Sequence, residues 1–432
     1  MKRSTFAAAA AVLALAARAF AQAPPAKTVV LKAARMFDGK SDRTVSPGLV
    51  VVENGRIASV GGAAPAGAEV IDLGDATLLP GFIDAHVHLA MEASDNWLAD
   101  FYSRIMRFPA EQAHYAELYA RRTLDAGFTT VRDVGSWQYV ALGLRNAINA
   151  GIAEGPRMLV SNYAIGATGG HTDGTPYPPD RVKESGPREG VCNGPEECRA
   201  AVRYQIKYGA DVIKCMPSGG VLSLGDPVDA PELTQEEMNA IVSEAHAWGR
   251  KVAAHCHGDA AAKIAIAAGV DSIEHGSFLK PDTLALMKKK GTYLVPTLYA
   301  GFWVGSHADK FPPPIAVKAR AAAAAMAAMF REAVHQGVNV AFGTDAGVEP
   351  HGTNAQEFVL MTRDGLSAAA ALRAATSGGA DLLGISADSG SLEKGKRADI
   401  VAVPGDPTAD IAATGKVFFV MQQGRIVKNA RP

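Results

Sequence analysis

The sequence predicts an α/β protein: a (β/α)8 TIM barrel with a small β-sandwich domain built from both chain ends. Two observations support this. Apolar strand-like runs alternate with helical patterns over roughly 300 residues, as in parallel α/β barrels. Short regions that contain only strand patterns stand before and after this alternation. Neither of these regions is long enough to form a core alone, so we expect them to share one.

The central alternation contains eight apolar runs, separated by helical stretches. The predicted strands are Phe82–His88, Thr129–Val134, Arg157–Val160, Val212–Met216, Val252–His257, Asp271–His275, Thr292–Pro296 and Asn339–Thr344. Among the helical stretches, Pro231–Trp248 has Thr234 as a good N-cap and Glu237 three residues later, which predicts a capping box. We assign residues 76–396 to the barrel.

Turn pairs define the strands at the two chain ends. Asn54-Gly55 and Gln423-Gly424 each lie between apolar runs, which predicts a β-hairpin in both places. Residues 22–75 and 397–432 are therefore assigned to one composite β-sandwich. The stretch from Gly166 to Gly190 is rich in Gly and Pro and follows the third barrel strand, which is typical of a binding loop.

Composition and the first residues indicate an exported protein. Residues 1–21 have a basic start, an apolar stretch too short to span a bilayer, and an A-x-A pattern ending at Ala21, which predicts a signal peptide. We expect a periplasmic or secreted protein. The net charge of −1 gives no reason to expect nucleic acid or a membrane surface as a partner.

Cysteine positions agree with an oxidising compartment. Cys192 and Cys198 flank a short loop that contains Gly and Pro, where a local disulfide is plausible. Cys215 and Cys256 each adjoin a candidate ligand on a strand. We interpret these two as small buried residues that point away from the site, not as metal ligands.

Lys214 is the first residue that indicates a metal centre. It ends the apolar run from Gly209. Burying an ammonium is unfavourable unless it is paired or its charge is removed. Carboxylation by CO2 would turn this lysine into an anionic metal ligand. Other metal-ligating residue types also fall at predicted strand ends, where barrel enzymes build their sites. The six candidates are His86, His88, Lys214, His255, His275 and Asp345.

These residue types suit two divalent ions, with zinc as the expected metal, since imidazole and carboxylate are ligands that zinc accepts. The expected ligand sets are His86, His88 and Asp345 for one ion and His255 and His275 for the other. Carboxylated Lys214 would bridge the two ions, about 3.5–4 Å apart, and a hydroxide between them would attack the substrate carbonyl. Asp345 would take the proton of the hydroxide and deliver it to the leaving nitrogen.

With these residues in place, the chain resembles the amidohydrolase superfamily over nearly its whole mature length. The motifs that carry the resemblance are Pro80–His88, Lys214, Ala254–Gly258, Ile273–Gly276, Gly343–Ala346 and Gly390–Ile400. It is most similar to the imidazolonepropionase-like branch, which includes Xaa-Pro dipeptidases. The ligand spacing is similar to that of bacterial ochratoxin A-hydrolysing amidohydrolases. Lys214 argues against the single-metal members of the superfamily.

The resemblance implies a metal-dependent amide hydrolase that releases a C-terminal amino acid from a small-molecule amide or dipeptide. Expected substrates are ochratoxin A, cleaved to ochratoxin alpha and phenylalanine, and Xaa-Pro dipeptides. It also implies a homo-oligomer, with an octamer as one expected size. Two alternatives stay open: a lactone or ester hydrolase of the same superfamily, and a catalytically inactive scaffold.

Residues outside the six are candidates for substrate contacts. His171 lies in the long loop and could meet a substrate carboxylate, and His257 faces the same side of its strand as His255. Ser218 and Gly219 follow the Lys214 strand and could supply backbone N–H groups. At the end of the second strand, Arg132-Asp133 is interpreted as a structural ion pair.

Overall fold

The structure is a computed structural model that describes residues 28–430, except residues 174–177, 179 and 182. The predicted signal peptide at residues 1–21 lies outside this range. The first strands are β1 Val29–Ala33, β2 Arg35–Met36, β3 Gly48–Glu53, β4 Arg56–Val60, β5 Glu69–Asp72 and β6 Ala76–Pro80. The predicted β3–β4 hairpin is confirmed, because Asn54 and Gly55 both adopt positive φ in its turn.

Parallel strands form the middle of the chain. Their bounds are β7 Phe82–Val87, β8 Phe128–Asp133, β9 Arg157–Val160, β10 Val212–Cys215, β11 Lys251–Cys256, β12 Ser272–His275 and β13 Tyr293–Val295. One sheet contains β7, β8 and β9 in that order, and a second contains β10 to β13. All pairings within these two sheets are parallel. The first seven predicted strands are thus confirmed.

The eighth predicted strand, residues 339–344, does not form a regular strand, so that prediction is wrong. Residues 339–346 make two isolated parallel bridges, Leu294 with Val340 and Val87 with Ala346. The segment also accepts a backbone bond at Phe342 O from Ala85 N–H at 2.8 Å. Asp345, which follows the predicted strand, has a left-handed backbone at φ 71°, so the extended geometry does not continue from residue 344 to the bridge at Ala346. The parallel strands therefore lie in two sheets, and no continuous ladder closes them within the described residues.

Helices connect the strands and cover the sheets. Their bounds are α1 Trp97–Met106, α2 Pro109–Asp125, α3 Val140–Asn149, α4 Pro195–Lys207, α5 Gln235–Ala247, α6 Asp259–Ala268, α7 Pro281–Lys290, α8 Leu298–Ser306, α9 Pro313–Gln336, α10 Gln356–Arg363, α11 Ala368–Arg373 and α12 Gly379–Leu383. The predicted capping box of α5 is confirmed, since Thr234 and Glu237 bond each other's backbone N–H groups. No helix in the described ranges is long and apolar enough to cross a membrane.

The two chain ends share one buried core. The last strands are β14 Ile400–Pro404, β15 Phe419–Gln422 and β16 Arg425–Asn429. They pair with β6 and β2 in a sheet of order β16-β15-β14-β6-β2, and a second sheet has the order β4-β3-β1-β5. A single apolar cluster draws on both ends, including Leu31, Val50, Ile400 and Phe419. The predicted hairpin at Gln423-Gly424 is confirmed, whereas the domain boundaries stay predictions.

The cysteines occupy two different environments. Cys192 and Cys198 form a disulfide with their Cα atoms 5.1 Å apart, which confirms that the local pair bonds. Cys215 and Cys256 are free and fully buried. Both belong to the large apolar core, as expected for small buried side chains.

Buried phenylalanine rings join the first two parallel strands to the irregular eighth segment. Phe342 lies 5.4 Å from Phe128 and 4.4 Å from Phe358, measured between ring centroids, and Phe82 lies 5.1 Å from Phe358. Pairs at these separations are attractive beyond the area that they bury. Packing of Phe342 therefore helps to hold the segment that carries Asp345.

We expect Phe342→Ala to lower the free energy of unfolding by about 3–5 kcal/mol, because it leaves a cavity in this aromatic cluster. Phe108→Ala is the matched control, since Phe108 is 76% exposed; it should change stability by no more than ~0.5 kcal/mol. Guanidinium unfolding curves of both variants measure the difference. Equal losses in the two variants would contradict the role given to Phe342.

Candidate metal centre

The six candidate ligands lie together at the carboxyl ends of the parallel strands. Asp345 Oδ1 is 3.3 Å from His86 Nε2 and 3.2 Å from His88 Nε2. Lys214 Nζ is 3.4 Å from the same His86 Nε2. The ring of His86 also lies 4.9 Å from the ring of His275, measured between ring centroids. One polar cluster thus joins residues from four separate parts of the chain.

Three imidazoles form the second half of the cluster. His255 and His257 lie on or just after β11, and His275 ends β12. The donor atoms of these three residues lie within 4.8 Å of one another and could hold a metal ion. A second group with the same property consists of His86, His275 and Asp345. His275 is common to both groups, and His257, predicted only as a pocket residue, stands among the candidate donors.

Two of the candidate ligands have unusual backbone conformations. His275 and Asp345 have φ values of 72° and 71°, in the left-handed region that side chains with a Cβ rarely adopt. Such a conformation costs on the order of 1–3 kcal/mol and persists where the surrounding structure holds it. The surrounding structure therefore holds these two strand ends in an unfavourable backbone conformation, which fixes the positions of the His275 and Asp345 side chains.

A buried charged network stands behind His86. Glu274 Oε2 accepts a hydrogen bond from His86 Nδ1 at 2.7 Å, which leaves the Nε2 lone pair facing the cluster. Arg132 Nη2 donates to Glu274 Oε1 at 2.8 Å. The prediction that Arg132 and Asp133 form an ion pair is therefore wrong. Asp133 instead accepts the backbone N–H of Leu89 at 2.8 Å and so shapes the turn after the His-X-His motif.

Other imidazoles are oriented in the same way by their second nitrogen. His88 Nδ1 donates to the carbonyl oxygen of Gly135 at 3.0 Å. His275 Nδ1 lies 2.7 Å from Thr297 Oγ1, and His257 Nδ1 lies 2.8 Å from Ser277 Oγ. Such partners fix the ring and the tautomer of a metal-ligating histidine.

The favoured protonation states differ between the two halves of the site. Burial lowers the pKa of His255 and of His275 well below the usual range, so both rings are neutral with a free lone pair. Burial opposes ionisation of Asp345, but its hydrogen-bonded neighbours His86 and His88 lower its pKa well below the usual value. Burial opposes protonation of His88, but its Asp345 neighbour raises the pKa of the ring above the usual value. Neutral His255 and His275 and ionised Asp345 are donors that divalent transition metals bind, whereas His88 would have to release a proton to bind one.

Lys214 occupies an environment that disfavours its charged form. Its side chain is 1% exposed. Burial lowers the pKa of its ammonium, while Glu274 and Asp345 oppose that shift. Among the described residues, no carboxylate forms a salt bridge with Lys214, and its Nζ contacts the His86 ring instead.

The predicted substrate contacts surround the three imidazoles. His171 stacks on His255 with ring centroids 4.5 Å apart, and its Nδ1 lies 2.9 Å from Ser223 Oγ. Ser218 Oγ accepts the backbone N–H of His257 at 3.0 Å. Gly219 N–H donates to a carbonyl within its own loop, while its carbonyl oxygen is 3.2 Å from His255 Nε2. All four residues are near the centre, and their roles toward a substrate stay predictions.

Sequence reasoning missed the groups that orient the ligands. Glu274 could have been recognised from the sequence, because a carboxylate inside an apolar strand needs a partner for the same reason as Lys214 does. Asp84, in the strand before His86, is fully buried and accepts bonds from Thr344 Oγ1 at 2.7 Å and Asn354 Nδ2 at 2.8 Å. Thr297 offered none, since a threonine after a strand is common.

Comparisons with known proteins agree with this arrangement. The model of the Amidohydrolase family matches residues 77–427. Ochratoxinase from Aspergillus niger is 32% identical over 413 residues, which cover 91% of this chain and 84% of that protein. A crystal structure of a Xaa-Pro dipeptidase with bound methionine has a TM-score of 0.90 and 40% identity, covering 93% of this chain and 100% of the other. The predicted resemblance is confirmed.

The crystal structure of the A. niger ochratoxinase also superposes on the chain. Its TM-score is 0.83 at 30% identity, with 94% of this chain and 96% of that chain covered. The α/β fold is therefore the one found in solved amidohydrolase structures.

We expect Thr297→Val to weaken metal binding by about 10–100-fold, because it removes the hydroxyl beside His275 Nδ1 and keeps the side-chain shape. Ser277→Ala, which removes the hydroxyl beside His257, is the matched comparison. It should cost less, since His275 belongs to both candidate metal groups and His257 to one. Competition titrations with a chelator measure both affinities. A larger loss in Ser277→Ala would contradict the shared position of His275.

Proposed function

Because the chain belongs to the amidohydrolase family and is a hydrolase that acts on amide bonds, we propose that it releases a C-terminal amino acid from an N-acyl amino acid or a dipeptide. The proposed substrates are ochratoxin A, cleaved to ochratoxin alpha and phenylalanine, and Xaa-Pro dipeptides. Relatives named ochratoxinase and Xaa-Pro dipeptidase, each matching more than 90% of this chain, support these classes.

One observation carries the proposal: the buried position of Lys214 beside His86, which belongs to one of the two candidate metal groups. Its Nζ is 3.4 Å from His86 Nε2, and burial favours its neutral amine. A neutral amine can attack CO2 and lose a proton, which leaves an anionic carbamate. We propose that carboxylated Lys214 bridges two divalent ions, with zinc as the expected metal. Two bound ions would supply Lewis acidity and a water of lowered pKa.

Proton transfer is assigned to Asp345. His86 and His88 hold its carboxylate ionised, at 3.3 and 3.2 Å from its Oδ1. In the proposed reaction, this carboxylate takes a proton from the attacking water and delivers it to the leaving nitrogen of the amide. A group within the ligand cluster that can both accept and return a proton serves both steps.

Substrate binding is assigned to the residues around the three imidazoles. His171 covers His255, and His257 lies beside it, so a substrate that reaches the cluster meets both rings. Ser218 and Gly219 complete this wall from the loop after β10. We propose that these four residues hold the substrate and its terminal carboxylate.

Several wider features are also proposed. The backbone bonds of residues 339–346 to β13 and β7 support a (β/α)8 barrel whose eighth strand is irregular. The shared core of the chain ends supports a β-sandwich from residues 22–75 and 397–432 beside a barrel of residues 76–396. We further propose export after cleavage near Ala21 and assembly into a homo-oligomer.

The first test removes and restores the metal. We expect the purified enzyme to hold two divalent ions per chain, to lose amide hydrolysis on chelation, and to regain it when zinc is added, because neutral imidazoles and an ionised carboxylate form its cluster. Elemental analysis and parallel assays with ochratoxin A, Xaa-Pro dipeptides, N-acyl amino acids and a lactone measure these outcomes. Undiminished turnover by a metal-free enzyme would refute the proposal, and activity on the lactone alone would assign it to ester bonds.

The second test concerns Lys214. We expect Lys214→Ala to lose most bound metal and activity, whereas Lys214→Glu should keep part of the metal because it restores a carboxylate. Lys251→Ala is the matched control, since Lys251 begins the neighbouring strand β11 and pairs with Asp271 away from the cluster. Metal content and turnover are measured for each. Turnover like that of the unmodified enzyme in Lys214→Ala would rule out the bridging role.

A further inference from the structure

An internal cation lies outside the metal cluster, at Lys318 on α9. Its Nζ donates to the backbone carbonyl oxygens of Gly220 at 2.6 Å, Ser223 at 2.7 Å and Asp226 at 2.9 Å. An ammonium has three N–H donors, so all three are used. The Asp226 carboxylate, 3.6 Å away, balances the charge. With a side chain only 13% exposed, Lys318 is built into the structure and is not an ordinary surface lysine.

The three carbonyl groups belong to one loop between β10 and α5. The loop is closed at its base by an isolated bridge between Ser218 and Pro231. Inside it, Asp226 Oδ2 accepts the backbone N–H of Gly220 at 2.7 Å. Carbonyl dipoles that converge on one point repel one another unless a cation lies between them. The loop therefore depends on the ammonium for its shape.

The same loop contacts the imidazoles of the candidate metal centre. The carbonyl oxygen of Gly219 is 3.2 Å from His255 Nε2, and Ser223 Oγ is 2.9 Å from His171 Nδ1. A Cβ placed on Gly220 would lie 1.9 Å from the His171 ring, so the loop packs against this ring without spare room. Movement of the loop would consequently move His171 and the partner of His255.

We propose that Lys318 is a positioning residue for the hydrolysis reaction, because its ammonium holds the loop of residues 219–226 against His171 and His255. Lys318 touches neither the candidate metal ligands nor, in the proposed reaction, the substrate. It acts through the loop. This inference rests on the proposed function for its kinetic part, but the effect on the loop itself can be measured without any substrate.

The experiment compares Lys318→Met, which keeps the length of the side chain and removes the charge, with Arg320→Ala. Arg320 lies on the same helix but is exposed and pairs with the exposed Asp309, so it is the matched control. We expect faster amide hydrogen exchange in peptides that cover residues 216–232 of Lys318→Met only. We also expect a loss in kcat/KM of roughly 10- to 100-fold, with metal content retained, because small misplacements of binding groups have effects of this size.

A second variant tests the charge directly. Lys318→Ala leaves space for the missing propyl ammonium group, so n-propylammonium should slow hydrogen exchange in the loop and restore part of kcat/KM. Propan-1-ol, which has the same chain length without the charge, should do neither. Restoration by both compounds, or by neither, would overturn the proposed role of the ammonium.

The results distinguish this inference from the proposed function. Unchanged hydrogen exchange in residues 216–232 of Lys318→Met would overturn the role of Lys318, whatever the activity of the unmodified enzyme. Failure of the unmodified enzyme to hydrolyse any amide in the panel would refute the proposed function, and faster exchange in Lys318→Met would still support the ammonium-held loop.

Discussion

The structure depends on how charges are buried at the carboxyl ends of the parallel strands. Arg132, Glu274 and Lys214 are all essentially excluded from water. A buried charge is tolerable only when its partners are close and well oriented. Arg132 pairs with Glu274, and Glu274 in turn orients His86. Burial raises the cost of the Glu274 charge, but Arg132 and His86 lower the pKa of its carboxyl to about 2. The position of His86, and of everything that contacts it, follows from this chain of partners.

Regular secondary structure gives way where the site needs particular side-chain positions. At the eighth segment, the left-handed backbone of Asp345 interrupts the ladder, yet it brings Oδ1 within reach of both His86 and His88. Its backbone N–H still bonds to His86 O at 2.7 Å, so the segment remains attached to β7. At the end of β12, His275 has the same backbone conformation and stands in both candidate metal groups. Local strain is thus offset by the surrounding packing.

The residues that hold the candidate metal centre in place form an inner layer, which contacts the imidazoles, and a less buried outer layer. Carboxylates, hydroxyls and carbonyls contact the imidazoles directly, and a loop closed on Lys318 lies outside them. Each layer limits the freedom of the one inside it, which is the condition for ligands that hold their geometry before metal or substrate binds. The outer layer is also the one in which relatives with a common centre can differ, because loops tolerate change better than strands do.

Local patterns in the sequence determined seven of the parallel strands, both hairpins and the six candidate ligands. They could do so because strand periodicity, turn chemistry and the cost of burying a lysine are properties of a few neighbouring residues. Only the tertiary structure decided that Arg132 pairs with Glu274 and not with Asp133, and that residues 339–344 are not a regular strand. It also decided that Lys318 holds a distant loop, in which its partner Gly220 lies 98 positions before it in the chain. These pairings depend on which distant segments meet in space. The local sequence around a side chain does not identify its partner, because only the fold brings the two together.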